Sequence, residues 1–203
     1  MPLERELKLT GDLPDLSSVT SIAGHDLVFS HLERQTNTYF DTGDAKLRAL
    51  AWTLRLRLLE GDDAVFTLKG ASQTSDGFAT REELEARVPA ATGLQDLHDP
   101  EILARISRVT KLEDLMPLLT LETVRNIFDL EGVGELALDQ VKVLRGDGSI
   151  AEEFTELELE LEDDVTQVSI VPVVRELRRM AKLEPSSMGK FSRALRALGF
   201  ERS

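Results

Sequence analysis

At 203 residues, with 41% apolar and 30% charged, the chain can bury a full core and is too apolar to stay disordered, so a single domain over 1–203 is expected. A net charge of −13 argues against a generic nucleic-acid or anionic-membrane surface, and the lack of cysteine rules out disulfides, thiolate metal sites and a cysteine nucleophile. The chain opens on Met-Pro-Leu-Glu-Arg-Glu with no basic-then-apolar signal segment, and no apolar run approaches the ~20 residues of a membrane-crossing helix, so a cytoplasmic location is expected.

Strict alternation, the mark of a strand with two unlike faces, begins at once. Leu3 to Leu9 sets Glu4, Glu6 and Lys8 on one face and Leu3, Arg5, Leu7 and Leu9 on the other. A strand over Thr36–Asp41 and a helical turn near Asp44–Ala49 follow. Trp52 to Leu58 then sets Thr53, Arg55 and Arg57 against Trp52, Leu54, Leu56 and Leu58. Further strands are read over Ala64–Lys69, Thr80–Val88, Leu119–Asp129, Glu135–Leu144 and Glu153–Glu162, with turns at Glu60-Gly-Asp-Asp, Ser72–Gly77 and Arg145-Gly-Asp-Gly-Ser. Helical pattern is confined to Asp99–Ser107, Pro172–Leu183 and Gly189–Leu198. The expected class is α+β, built on one antiparallel sheet with flanking helices, the last at the C-terminus.

Any one charged strand face reads most simply as a solvated one. The joint pattern reads differently. Glu4, Glu6, Lys8, Arg55, Arg57, Lys69, Arg81, Glu83, Glu85, Arg125, Asp139, Glu156, Glu158 and Glu160 segregate by strand into acidic and basic groups. A closed barrel of about eight strands has an interior just wide enough for side chains or one small ligand. Lining it with charge costs several kcal/mol per ion unless opposite charges, metals or ligands neutralise it. Carboxylates suit Mg2+ or Mn2+, and Arg and Lys suit phosphoryl oxygens, so the implied ligand is a polyphosphate with its divalent cation. Other motifs are weak. Gly132-Val-Gly134 leads into a strand rather than the helix a dinucleotide fingerprint needs, Gly189-Lys190 lacks the rest of a P-loop, and His25, His31 and His98 have no metal spacing.

Glu4-Arg-Glu6-Leu-Lys8 resembles the ExExK signature of the CYTH superfamily, the triphosphate tunnel metalloenzymes. Tyr39-Phe-Asp-Thr42, Leu54-Arg-Leu-Arg57, Thr67-Leu-Lys69, Arg81-Glu-Glu83-Leu-Glu85, Arg125, Asp139 and Glu156-Leu-Glu158-Leu-Glu160 follow in the family's order, over nearly the whole chain. The resemblance implies an eight-stranded antiparallel β-barrel, a tunnel open at both ends that binds triphosphates. By similarity, Glu4, Glu6, Glu156 and Glu158 hold a divalent ion, Mg2+ or Mn2+, and Asp139 contributes to this or a second metal that orients the attacking water. Arg55, Arg57, Lys69, Arg125 and Lys190 cradle the phosphates, and Arg81 resembles a further family position. Lys8 touches the phosphate chain or steers the water, and Glu83 and Glu85 sit near the metal or orient basic neighbours. Glu160 and Arg87 receive no role.

The activity this implies is metal-dependent hydrolysis of inorganic tripolyphosphate to diphosphate and phosphate, as in the bacterial inorganic triphosphatase branch. Thiamine triphosphatase, class IV adenylate cyclase and a non-catalytic polyphosphate- or nucleotide-binding module are the alternatives. An organic group would want an aromatic platform, whereas Trp52 alternates onto the face opposite Arg55 and Arg57 and aromatics are only 5% of the chain. Homodimers are common among similar proteins, and a homodimer is carried as an expectation.

Overall fold

The computed structural model describes residues 3–61, 63–75, 78–89, 93–186 and 188–200. The long strands are β1 (Leu3–Gly11), β3 (His25–Thr42), β4 (Thr53–Leu59), β5 (Asp63–Lys69), β7 (Phe78–Pro89), β8 (Leu115–Leu130), β9 (Gly134–Leu144) and β10 (Ile150–Leu161). Three short strands accompany them, β2 (Ser21–Ile22), β6 (Gln73–Ser75) and β11 (Leu183–Pro185). The long strands run in the order β1-β10-β9-β8-β3-β4-β5-β7, every neighbouring pair antiparallel, and β7 pairs back onto β1 from Leu3↔Glu82 to Leu7↔Phe78. They therefore form a ring, as the charged alternation implied. Where β7 leaves β1, β11 continues the ladder with Leu9↔Pro185.

The period of two sorts the side chains. Leu7 and Leu9 of β1, Leu136 and Leu138 of β9, and Leu157, Leu159 and Leu161 of β10 face outward and are buried under Val173 and Leu177 of α3 (Val171–Met180). Leu54, Leu56, Phe66, Leu68 and Leu84 pack outward against Ile102 and Ile106 of α2 (Pro100–Ile106) and Leu47 of α1 (Lys46–Ala49). Asp99 caps α2 by accepting from the backbone N–H of Glu101 and Ile102, with Pro100 at the first helical position. The apolar core thus lies between ring and helices, which leaves the ring's interior to the polar face.

One part of the interior is apolar. Tyr39, Leu121, Val141 and Phe154, on the inward-facing parity of their strands, pack with Phe191, Ala194 and Leu195 of α4 (Lys190–Ala197). The last helix therefore occupies one end of the tunnel, an end that the resemblance treated as open.

Three local expectations change. β3 starts at His25 rather than Thr36, because residues 25–35 pair with β8 from Leu27↔Leu130 onward although their side chains are largely exposed and do not alternate. α3 stops at Met180, and Leu183, read as the end of that helix, opens β11. Within Ser72–Gly77, Gln73–Ser75 is strand, while positions 76 and 77, like position 62 of the Glu60-Gly-Asp-Asp turn, lie outside the described residues. Gly134, of the rejected glycine fingerprint, has φ +148 and opens β9 so close to β10 that a Cβ would stand 1.9 Å from the Glu160 carbonyl oxygen. Among the described residues no helix is long and apolar enough to cross a membrane.

Candidate active site inside the strand ring

A cavity of about 1320 Å³ runs through the ring and is lined by Glu4, Glu6, Lys8, Arg55, Arg57, Lys69, Arg81, Glu83, Glu85, Arg125, Glu158 and Lys190. Asp139 and Glu156, 0% and 2% exposed, complete the group through their contacts with Lys190 and Arg125. The strand registers bring them together: Glu4 lies opposite Arg81, Lys8 opposite Glu158, Glu156 opposite Asp139, Asp139 opposite Arg125, and Lys69 opposite Glu83. Every site residue read from the sequence is thus on this wall or bonded to it. Arg87, given no role, is exposed and lies outside the cavity lining, whereas Glu160 lines it beside Glu135.

A continuous ion network, joined through Glu6 and Glu158, crosses the interior. At the seam between β1 and β7, Glu4 accepts from Lys69 Nζ at 2.7 Å and from Arg81 Nε at 2.6 Å, and Arg81 reaches on to Glu6 at 2.7 Å. Against its own burial, these two cations hold the Glu4 carboxyl far below the usual range. Beside them, Lys8 Nζ bridges Glu6 at 3.0 Å and Glu158 at 2.9 Å. Across β8, β9 and β10, Arg125 grips Asp139 with two bonds of 2.8 and 2.7 Å, and Lys190 Nζ stands 2.8 Å from Asp139, 2.9 Å from Glu156 and 2.6 Å from Glu158. Burial would lower the pKa of Lys8, Lys190 and Arg125, but the surrounding carboxylates override it and raise all three.

Among the under-neutralised carboxyls are Glu83, Glu156 and Glu160, the last raised by burial and by Glu4. Burial, opposed by Lys69 and joined by Glu4 and Glu85, pushes Glu83 up to about 7. Burial, opposed by Lys190 and joined by Glu158, does the same to Glu156, also about 7.

The opposite excess lies on β4. Arg55 Nη2 donates to Thr67 Oγ1 at 3.1 Å, and Thr67 in turn donates to Glu85 at 3.0 Å, so Arg55 meets that carboxylate only at 4.0 Å. Arg57 makes no ion pair among the described residues, and its Nε, like that of Arg55, is buried without a partner. Burial, with the like charges of Arg55 and Arg125, pushes Arg57 down to about 10. Two neighbouring guanidiniums with too little anion around them form a site for an anion from outside.

Family comparison decides the identity of this ring: the CYTH domain model matches residues 2–192. The chain belongs to the CYTH domain family. Members of the CYTH family act on triphosphates, and its triphosphate tunnel metalloenzymes use divalent metal ions. No curated protein sequence matches this CYTH chain. Among solved structures, it is similar to HpAC1 from Hippeastrum, a candidate adenylyl cyclase with a dominant triphosphatase activity, at 20% identity and TM-score 0.70, covering 97% of this chain and 96% of that one. It is also similar to a candidate adenylate cyclase from Bacillus halodurans (21% identity, TM-score 0.59, 85% and 97% covered) and to PH1819 from Pyrococcus horikoshii OT3 (19% identity, TM-score 0.56, 94% and 98% covered). At these identities the likeness is one of fold.

The carboxylates of this CYTH domain fit a divalent ion by donor chemistry, since hard oxygens suit Mg2+ and Mn2+. Among the described residues no three Asp, Glu or His side chains converge as a ready metal cage. Lysine ammonium groups occupy the spaces between them instead. Lys190 Nζ lies within 2.9 Å of Asp139, Glu156 and Glu158 and neutralises part of their charge.

Sequence reasoning missed the uncharged members of the wall. Thr67 links Arg55 to Glu85, and Gln35 and Asn37 are buried on the inner face of β3. Alternation with Tyr39 marks their face, but neither carries a charge that would single it out. Trp52 precedes β4 and packs against the outer core while also bordering the cavity, and Tyr39 and Phe191, stacked with centroids 4.9 Å apart, border it as well. The packing of Trp52 on the outer core agrees with the alternation that set it opposite Arg55 and Arg57.

Proposed function

We propose that this CYTH domain, acting as a single domain, hydrolyses a triphosphate with Mg2+ or Mn2+, and that its substrate is inorganic tripolyphosphate, cleaved to diphosphate and phosphate. The observation that carries the reading is the division of one cavity into an acidic zone and an under-neutralised arginine pair, Arg55 and Arg57. A triphosphate and its cation match both halves. The contacts support the following roles. Arg55, Arg57, Lys69, Arg81, Arg125 and Lys190 would hold phosphoryl oxygens. Glu4, Glu6, Asp139, Glu156 and Glu158 would hold the ion, which supplies charge neutralisation to those oxygens. Lys8, between Glu6 and Glu158, would meet the phosphate chain or the attacking water, and Glu83 and Glu85 would orient Lys69 and Arg55. Phosphoryl transfer to water needs positioned charge and no side-chain nucleophile, which agrees with a wall of ion pairs.

A second reading has its own observation. The stacked Tyr39 and Phe191, with Trp52 on the same cavity lining, would take a planar organic group, as in a nucleotide or thiamine triphosphate. The triphosphatase activity of HpAC1 favours hydrolysis over cyclisation for either substrate. The test is phosphate release from tripolyphosphate, ATP and thiamine triphosphate with each metal, with cyclic AMP followed in the ATP reaction. Fastest release from tripolyphosphate supports the first reading, fastest release from an organic triphosphate supports the second, and cyclic AMP overturns both.

A further inference from the structure

The inner face of β3 carries a polar row that the ion network does not use. His31 Nε2 lies 3.0 Å from one oxygen of Glu33, and Gln35 Nε2 donates to the other at 2.8 Å. Asn37 Nδ2 then donates to Gln35 Oε1 at 3.3 Å. The direction of this relay is set at Glu33. An ionised carboxylate only accepts, so the Gln35 amide turns its nitrogen toward Glu33 and its oxygen toward Asn37. That in turn faces the Asn37 nitrogen to Gln35 and leaves Asn37 Oδ1 at the end of the row. Asn37 is 3% exposed, and its Oδ1 is buried with no partner among the described residues.

Directly across the β3–β4 ladder from Asn37 stands Arg57. Its Nε is also buried and also without a partner. Side chains on directly opposed residues of an antiparallel pair are within contact range. A lone acceptor therefore faces a lone donor, each with a strong reason to be satisfied, since buried polar groups are almost always hydrogen-bonded. A bond between them would also fix the guanidinium plane, leaving the two terminal nitrogens for a bidentate grip on a phosphate.

We propose that Asn37 is a positioning residue for Arg57: its Oδ1 accepts from Arg57 Nε and aims the guanidinium at the triphosphate while adding no charge. The inference rests on the proposed function for its purpose, and on the direct opposition of Asn37 and Arg57 across the β3–β4 ladder, with both polar atoms buried and unpaired, for its geometry. The amide matters because a carboxylate at this position would aim Arg57 equally well but neutralise it. Glu33, the acid at the head of the relay, influences Arg57 only through space.

Asn37→Asp, near in size and shape, separates these roles. It is made with Arg57 present and in an Arg57→Ala background, and two quantities are measured, ligand-free stability by urea unfolding and Kd for tripolyphosphate with Mn2+ by calorimetry. With Arg57 present, the substitution is expected to be better tolerated in the ligand-free protein than without it, by about tenfold in the unfolding constant, and to weaken tripolyphosphate binding by about tenfold. A purely structural asparagine would not move stability and binding in opposite directions. An effect of Asn37→Asp on ligand-free stability that is the same with and without Arg57 overturns the contact. Unchanged tripolyphosphate affinity in Asn37→Asp overturns the role. If the wild type does not bind tripolyphosphate at all, the proposed function fails, while the ligand-free comparison still decides the contact.

Discussion

Lys190 Nζ, at the start of α4, lies 2.8 Å from Oδ2 of Asp139 in the middle of β9, and that aspartate is fully buried. One ion pair thus fastens the helix that fills an end of the tunnel to the wall of the site. Glu156 and Glu158 complete the shell around the same ammonium at 2.9 and 2.6 Å.

Lys190→Met should therefore leave three carboxylates facing one another. Removing one partner of a buried ion cluster typically costs about 3–5 kcal/mol, and urea unfolding at neutral pH should show a loss of that order. A second change, Glu156→Gln, should restore part of it, because the cluster then carries one negative charge fewer. A loss below about 1 kcal/mol in Lys190→Met would mean that the lysine is solvated rather than locked among the acids.

The two arginine settings predict opposite behaviour. Arg125 is bound through two hydrogen bonds to Asp139, so Arg125→Ala leaves that buried acid with Lys190 alone and should destabilise the ligand-free protein by about 3 kcal/mol. Arg57 has no such partner among the described residues, and Arg57→Ala should change ligand-free stability by less than about 1 kcal/mol. In binding the order reverses in importance: Arg57→Ala should weaken tripolyphosphate by about tenfold or more in a calorimetric titration. Strong destabilisation of the ligand-free Arg57→Ala protein would contradict the reading of Arg57 as a cation held ready for an anion.

The pH dependence of the metal-free protein should carry the mark of Glu83. Its carboxyl is raised from about 4.5 to about 7, chiefly by burial, so the folded state binds this proton more tightly than the unfolded chain does. The resulting stabilisation is complete below about pH 4.5 and is lost as pH rises through about 7. Glu83→Gln removes that loss. The variant should match the wild type near pH 5 and exceed it at pH 8.5, by on the order of 1 kcal/mol or more, in chelator-treated unfolding curves. A constant difference at all pH values would show that Glu83 stays ionised throughout.

Alternation set Glu4, Glu6 and Lys8 on one face of β1 and Arg55 and Arg57 on one face of β4, opposite the residues buried outside, and only closure of the ring joins the two faces into one interior. The strand partners were less legible. Arg81 gains its place at Glu4 and Glu6 only through closure of β7 on β1, a long-range pairing with no local signal. The aromatic stack was hidden for a related reason: Tyr39 and Phe191 come from distant segments, and their meeting depends on where α4 docks. Asn37 and Gln35 were passed over because a neutral amide on a strand looks like ordinary surface until its burial is known. β11 has no strand reading because three residues, Leu183–Pro185, are too few to show a period of their own, and Leu183 reads as the end of the preceding helix.

The central claim is that the acids and arginines inside the ring form one site for a triphosphate and its cation. The most direct test is anomalous diffraction from crystals grown with Mn2+ and a non-hydrolysable imido analogue of tripolyphosphate. The account predicts a manganese peak inside the ring, against carboxylates of the Glu4, Glu6, Asp139, Glu156 and Glu158 set, with the analogue's phosphates on Arg55 and Arg57. Manganese and phosphate bound only outside the ring, with the Lys190 cluster undisturbed, would contradict it.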